Sequence, residues 1–264
     1  MNPNYRKTVI GGNWKMNLLP SDVGGYAKAL TGGIPKPCKA EIVLAVPFVS
    51  IPAAISAFSG SAVQIAAQNV SEHPSGAFTG EVSASQLYDI GVRRVIVGHS
   101  ERRLYFCESD AIINKKVHAA ISGGLDPIIC VGESAEVRNS GCADELVAFQ
   151  VKSALSGVSA EMLSRVVIAY EPVWAIGTGN VASPGQAQEM CSHIRAVISG
   201  IYGGELSETV PVIYGGSMDE NNAGELLALP DIDGGLIGRA SLSPPAFFKI
   251  IQSSEEALNK FGGI

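Results

Sequence analysis

Short apolar runs recur along the chain, each followed by a turn signal and then by a stretch with the composition of a helix. Their length and their β-branched residues are typical of buried strands in a parallel sheet. The pattern of strands alternating with helices predicts consecutive parallel βα units. Eight runs are present: Thr8–Gly12, Glu41–Val46, Gln64–Gln68, Arg94–Val97, Asp126–Val131, Val166–Tyr170, Pro211–Tyr214 and Gly235–Ile237.

The number of units favours one of two α/β architectures. Eight units with no evident linker predict a single (β/α)8 barrel domain over residues 1–264, and 46% hydrophobic residues suffice for its core. A doubly wound open sheet is the alternative, because it shares the local βα pattern. In a barrel, active-site groups lie at the C-terminal ends of the strands, so polar residues that follow the runs are the first candidates.

The stretch after the sixth run has the properties of an active-site loop. Glu171 stands where the strand must end, since Pro172 lacks the N–H that would continue the ladder. An apolar segment, Val173–Ile176, and a flexible ending, Gly177–Gly179, follow it. This order predicts a carboxylate base that a lid can cover and shield from water. The alternative is a solvated glutamate at a strand end.

Other unusual polar residues also follow strand-like runs. Asn13 and Lys15 follow the first run and His99 follows the fourth, while glycine-rich turns follow the seventh and eighth. Each has an ordinary explanation by itself: a surface lysine, a histidine bonded to backbone, a simple turn. Their occurrence at matching ends of different strands predicts one shared site.

Composition excludes several classes of function. The net charge of -6, without basic runs interleaved with aromatics, argues against nucleic acid or an anionic membrane as a partner. The N-terminus lacks the apolar core of a signal peptide, and prolines interrupt the most apolar region, 42–58. The five cysteines are scattered without a C-x-x-C pair, which predicts no zinc or other metal site and a reducing, cytoplasmic compartment.

Several motifs, in order from residue 11 to residue 242, resemble the triosephosphate isomerase family. They are G-N-W-K-M-N at Gly12–Asn17, G-H-S-E-R-R at Gly98–Arg103, A-Y-E-P-V-W-A-I-G-T-G at Ala169–Gly179, Y-G-G-S at Tyr214–Ser217 and a loop at Gln68–Ala84. The eleven-residue lid motif is highly specific, whereas Y-G-G-S alone would be weak. The resemblance implies a TIM barrel that interconverts dihydroxyacetone phosphate and glyceraldehyde 3-phosphate without a cofactor.

The resemblance also implies catalytic roles, and this family is itself a standard example of tuned active-site pKa values. Glu171 would be the base, kept basic by an apolar lid that removes water from its carboxylate. His99 would polarise the carbonyl as a neutral imidazole, since the helix start at Ser100 disfavours its charged form. Lys15 would offset the negative charge of the phosphate and the enediolate, and Asn13 would bond the reacting oxygens.

For the phosphate, the resemblance implies backbone N–H donors from Gly177, Ser217, Gly238 and Arg239. Two departures from the family pattern stand out. The family often has glycine where this chain has Arg239, a change that keeps the backbone donor. The lid continues with residues 180–182 as Asn-Val-Ala, where the family often has lysine, threonine and alanine. This second change alters the hinge of the lid.

Thr79 resembles the family residue that reaches into a partner subunit's site, which implies a homodimer formed through the loop Gln68–Ala84. A loop this long, with Phe78 near its tip, would be poorly supported on a monomer. The alternative is a flexible surface loop. Two other functions compete with the isomerase: another sugar-phosphate barrel enzyme, and a non-catalytic binding protein on an inherited barrel. Neither is favoured, because none of the motif's catalytic residues is missing.

Overall fold

The structure is a computed structural model that describes residues 6–175 and 182–261, and its eight strands close into a barrel. Every strand pairs in parallel with its neighbour in the chain, and the first pairs with the last. This closure confirms the predicted (β/α)8 barrel and rules out the open sheet. The strands are β1 Val9–Asn13, β2 Glu41–Val46, β3 Val63–Ala67, β4 Arg94–Val97, β5 Asp126–Val131, β6 Val167–Tyr170, β7 Val212–Tyr214 and β8 Gly234–Ile237.

Two separate apolar clusters follow from the alternation of side chains along each strand. In β2, Val43 and Ala45 belong to the cluster inside the barrel, whereas Ile42, Leu44 and Val46 belong to the cluster between strands and helices. Other strands divide in the same way, so the barrel interior is a packed core. Its members are Val9, Val43, Ala45, Ala66, Ile96, Ile128, Cys130, Val167, Ala169, Ile213 and Leu236.

Helices surround the strands, and their apolar faces form the outer cluster. The first helix follows a 3-10 turn, Pro20–Asp22, and has Asp22 at its N-cap. In the described residues, no helix is long and apolar enough to cross a bilayer. The helices are α1 Val23–Thr31, α2 Ile51–Ala57, α3 Ala84–Asp89, α4 Ser100–Tyr105, α5 Asp110–Ser122, α6 Ala135–Asn139, α7 Ala143–Leu155, α8 Ala160–Leu163, α9 Pro184–Tyr202, α10 Gly204–Ser207, α11 Ala223–Leu227 and α12 Pro244–Phe261.

Candidate active site

Glu171 is the first residue after β6, and the barrel holds it in a buried position. Its N–H donates to the carbonyl oxygen of Val131 in β5 at 2.7 Å, and the residue is 2% exposed. Neighbouring strand ends leave room for it only because they carry glycines. A Cβ on Gly132 would lie 1.7 Å from the carbonyl oxygen of Glu171, and one on Gly215 would lie 2.9 Å from its Cγ. The site therefore requires glycine at both positions.

Both carboxylate oxygens of Glu171 contact the start of α4. Oε1 lies 2.9 Å from Nε2 of His99, and Oε2 accepts the N–H of Ser100 at 2.8 Å. The structure thus brings the ends of β4 and β6 together, as the sequence predicts. It also shows that the carboxylate is not free, since each oxygen already has a donor.

The hydrogen bonds of His99 assign its tautomer. The N–H of Glu101 donates to Nδ1 at 3.2 Å, so Nδ1 acts as an acceptor and carries no proton. The ring proton therefore lies on Nε2, which donates to Oε1 of Glu171. This arrangement fits a neutral imidazole whose N–H points into the site, as the resemblance implies.

The pKa values of Glu171 and His99 are shifted by the contact between them. Burial alone would raise the pKa of Glu171, but the adjacent His99 and the N–H of Ser100 outweigh burial and lower it below the ordinary 4.5. Burial likewise lowers the pKa of His99, but the carboxylate of Glu171 outweighs burial and raises it. The partners of Glu171 stabilise its charged form more than burial destabilises it. The predicted effect of the lid on this carboxylate stays a prediction, because residues 176–181 lie outside the described part of the chain.

Lys15 lies next to this pair and has an acidic partner of its own. Its Nζ is 2.6 Å from Oε1 of Glu101, and both side chains are partly exposed to solvent. The other carboxylate oxygen of Glu101 is 3.6 Å from Nδ1 of His99. Glu101 therefore ties Lys15 to the start of α4 at the mouth of the barrel, and its carboxylate lies close to the ring of His99.

The backbone at Lys15 has an unusual conformation that local contacts hold in place. Its φ is +53°, in the left-handed region that non-glycine residues rarely adopt. Asn13, the last residue of β1, accepts the N–H of Lys15 through Oδ1 at 3.0 Å. Gln68 donates to the carbonyl of Lys15 at 2.9 Å and to that of Ala45 at 3.0 Å. Such strain is concentrated at functional sites, where surrounding contacts maintain it.

Of the four predicted phosphate donors, the structure describes Ser217, Gly238 and Arg239. Gly238 lies beside Lys15, since a Cβ on it would be 3.6 Å from Cε of the lysine. Arg239 begins the 3-10 turn Arg239–Leu242 and is exposed, as is Ser217 after β7. Gly177 lies outside the described residues. The turn after β8 is therefore brought to the catalytic group, while the contribution of Gly177 stays a prediction.

The beginning of the predicted lid is anchored by a fully buried carboxylate. Oε1 of Glu133 accepts Nε1–H of Trp174 at 2.7 Å and the hydroxyl of Tyr170 at 3.0 Å. Arg138 bonds the same oxygen at 2.9 Å and lies over the indole ring. The 3-10 turn Val173–Ala175 is thus fixed to the loop after β5. These contacts fix the described start of the predicted lid, and the rest of that segment, 176–181, lies outside the described residues.

Two parts of the site were missed by sequence reasoning about roles, Glu101 and the N–H of Ser100. Both belong to G-H-S-E-R-R, so the motif contained them. Their contacts identify them: Glu101 bonds Lys15, which is 86 residues away in the sequence, and the N–H of Ser100 bonds Glu171, which is 71 residues away. Nothing local in the sequence indicates such contacts. In the described part of the chain, no group of three or more metal-ligating side chains could hold an ion.

Comparison with known proteins gives a consistent result. A sequence model of the family described as "Triosephosphate isomerase" matches residues 8–254. The chain belongs to the triosephosphate isomerase family. A triosephosphate isomerase of Acetivibrio thermocellus is 51% identical over 245 residues, covering 93% of this chain and 97% of the relative. Those of Lactobacillus delbrueckii subsp. bulgaricus and Latilactobacillus sakei subsp. sakei are 46% and 44% identical, covering 93% and 95% of this chain and 98% and 100% of the relatives. The chain is therefore an isomerase of this family.

Proposed function

We propose that this isomerase interconverts dihydroxyacetone phosphate and glyceraldehyde 3-phosphate with Glu171 as the proton-transferring base. The observation that carries the assignment is the 2.9 Å contact between Oε1 of Glu171, after β6, and Nε2 of His99, after β4, at the C-terminal end of the barrel. One group is a carboxylate and the other a donor N–H. Together they supply the base and the polarising group that proton transfer next to a carbonyl requires.

The substrate replaces the contact between these two groups. A carbonyl oxygen that accepts the N–H of His99 must displace Oε1 of Glu171, since one N–H cannot serve both at full strength. The carboxylate then also leaves the N–H of Ser100 and loses the two partners that lower its pKa. Its pKa rises, and it becomes a stronger base in the complex than in the free enzyme. His99 simultaneously loses the charge that raises its own pKa, which favours its neutral form.

Lys15 supplies positive charge for the phosphate and the enediolate. In the structure Glu101 holds the ammonium in position at 2.6 Å. Gly238, which lies beside Lys15, leads into the 3-10 turn that begins at Arg239. The N–H of the first residue of such a turn has no hydrogen-bond partner within the turn. Phosphate oxygens between the lysine and this turn would meet both charge and backbone donors. Ser217 and Gly177 complete the proposed donor set, and Asn13 bonds the reacting oxygens.

The function is tested by isomerisation of glyceraldehyde 3-phosphate with the wild type beside Glu171→Asp. The shorter side chain keeps its charge but retracts the carboxylate by about one methylene, and a misplacement of about 1 Å can cost ~10²-fold in rate. Fast wild-type turnover with such a loss in the variant supports the assignment. Equal turnover in both would refute Glu171 as the base, and an inactive, folded wild type would favour the binding-protein alternative.

We also propose that the chain forms a homodimer through the loop Gln68–Ala84, with Thr79 near the partner's site. Residues 74–81 of this loop are exposed, including Thr79, and Phe78 at the tip is 41% exposed. An exposed aromatic on a projecting loop is unfavourable in water and favourable at an interface. Sedimentation through a dilution series tests the dimer. Constant activity per subunit in a demonstrated monomer would refute the dependence of the site on the partner.

A reducing, cytoplasmic location is proposed from the cysteines. All five are free thiols, and Cys130 and Cys191 are fully buried. Proteins of oxidising compartments commonly use such residues in disulfides. Cell fractionation of the source organism tests the location, and recovery of the protein outside the cytoplasm would contradict it.

A further inference from the structure

The loop proposed to form the dimer has internal support in the isolated chain. Its neck is closed by a hydrogen bond from the N–H of Ser71 to the carbonyl of Val82 at 2.8 Å. Between these two residues the chain projects into solvent from Pro74 to Glu81. A loop of this shape ordinarily loses conformational freedom when a partner orders it, and that loss reduces affinity.

A ring stack holds the projecting tip against the stem. The imidazole of His73 and the phenyl ring of Phe78 lie with centroids 3.8 Å apart and planes inclined by 6°. Gly76 makes the reversal possible, because its φ is +125° and a Cβ there would lie 3.2 Å from Phe78. The N–H of Phe78 also donates to the carbonyl of Gly76 at 3.0 Å. The tip therefore folds back onto His73.

The stem side of the stack is connected to the barrel. Glu72 lies 3.5 Å from Nε2 of His73 through one oxygen and 3.5 Å from Nζ of Lys115 in α5 through the other. The N–H of His73 donates to the hydroxyl of Ser71 at 3.2 Å. His73 thus lies between a tip that it stacks on and a stem that is attached to α5.

We propose that His73 is a positioning residue for dimerisation, which holds the tip around Phe78 in the shape that a second copy of this chain binds. The inference rests on the proposed homodimer. Because the stack exists within one chain, part of the loop is ordered before the partner arrives, and association loses less conformational entropy. Thr79 follows Phe78 directly, so the stack also fixes the residue that is proposed to reach the partner's site.

The test compares dimer dissociation constants, measured by sedimentation and by activity on dilution, for three variants and the wild type. His73→Ala removes the stack, and we expect the dissociation constant to rise about threefold to tenfold. His73→Phe keeps a flat ring and should restore the wild-type value. His193→Ala, a histidine on α9 away from the loop, is the matched control. Above their dissociation constants all four proteins should have equal kcat.

Each outcome is decisive. Equal dissociation constants for wild type and His73→Ala would overturn the inference, as would a His73→Phe dimer as weak as the alanine variant. A wild type that sediments as a monomer at every concentration would overturn the dimer itself. Amide exchange of residues 76–81 in dilute monomer gives a second readout, and we expect faster exchange in His73→Ala. Unchanged exchange would show that the stack does not order the tip.

Discussion

Two clusters of buried charge lie at opposite ends of the same barrel, and they are built differently. At the N-terminal end, Asp233 is 0% exposed and accepts from Arg6 at 2.7 Å, from Arg195 at 2.7 Å and from the N–H of Val212 at 3.0 Å. Arg195 also donates to two backbone carbonyls and to Asp231. This cluster is closed, since its donors and acceptors satisfy one another. It joins β8 to β7 and α9.

The C-terminal cluster is partly open to solvent. Lys15 and Glu101 are 30% and 41% exposed at their side chains, and in the proposed mechanism a substrate carbonyl takes the donor that Glu171 occupies. The difference teaches that burial of charge alone does not identify a catalytic site. What identifies it is a set of charged groups whose contacts are exchangeable, facing an open end of the barrel. Catalytic groups belong at this end of the fold and stabilising groups at the other.

The largest effect is expected at the closed end. Asp233→Asn leaves two guanidinium groups without their shared charge and turns an amide N–H₂ toward one of the existing donors. Breaking a buried pair in this way costs about 3–5 kcal/mol of unfolding free energy. Urea unfolding measures it, while kcat/KM of the remaining folded enzyme should stay at the wild-type value. A loss of activity in fully folded protein would remove the distinction between the two ends.

The next largest effect is expected at the C-terminal end, where a substitution should reduce activity and leave stability nearly unchanged. Lys15→Met keeps an unbranched side chain, shorter by one atom, and removes the charge. We expect kcat/KM to fall by about 10²–10³, as for loss of a donor to a developing oxyanion. Stability should change little, because Glu101 is partly exposed and becomes solvated. Wild-type kcat/KM would refute the role of the lysine.

The smallest effect is expected at Asp231 in the N-terminal cluster, whose contribution to the free energy of unfolding depends on pH. Burial raises the pKa of Asp231, but Arg195 at 2.9 Å and Gln188 at 2.6 Å outweigh burial and lower it below the ordinary 3.8. The contribution of the carboxylate is therefore present above the unfolded pKa and lost as pH falls through the lower folded value. Asp231→Asn should be less stable than wild type by about 1–2 kcal/mol above pH ~4. Below that pH the gap should close, and a gap independent of pH would contradict the assignment.

The fold could be predicted almost completely from local patterns. Each observed strand matches a predicted run with ends that differ by at most one residue, because buried parallel strands leave short β-branched runs in the sequence. The closure of the sheet into a barrel was predicted from the number of βα units, which is eight. The extent of one domain over residues 1–264 stays a prediction, since the described residues do not include both termini.

The site could be predicted in its members but not in its contacts. Residues such as Lys15 and Glu171 were recognisable because they follow strands and match motifs. The contacts of Lys15 with Glu101 and of Glu171 with His99 and Ser100 join distant parts of the chain, and no local pattern contains them. The lowered pKa of Glu171 in this arrangement has the same origin, because the donors that lower it, His99 and the N–H of Ser100, come from the start of α4. The stack of His73 on Phe78 was likewise invisible.

The most direct test of this account is kcat/KM of Glu171→Gln in protein shown to be folded. Glutamine has nearly the same shape as glutamate but cannot act as the base, and its amide keeps an acceptor for only one of the two donors, His99 and the N–H of Ser100. The account predicts that kcat/KM falls by about 10²–10⁴, the range for loss of a general base. In the same assay, folded Asp233→Asn should retain wild-type kcat/KM. Activity of Glu171→Gln within about threefold of wild type would contradict the claim that the exchangeable carboxylate at the end of β6 transfers the proton.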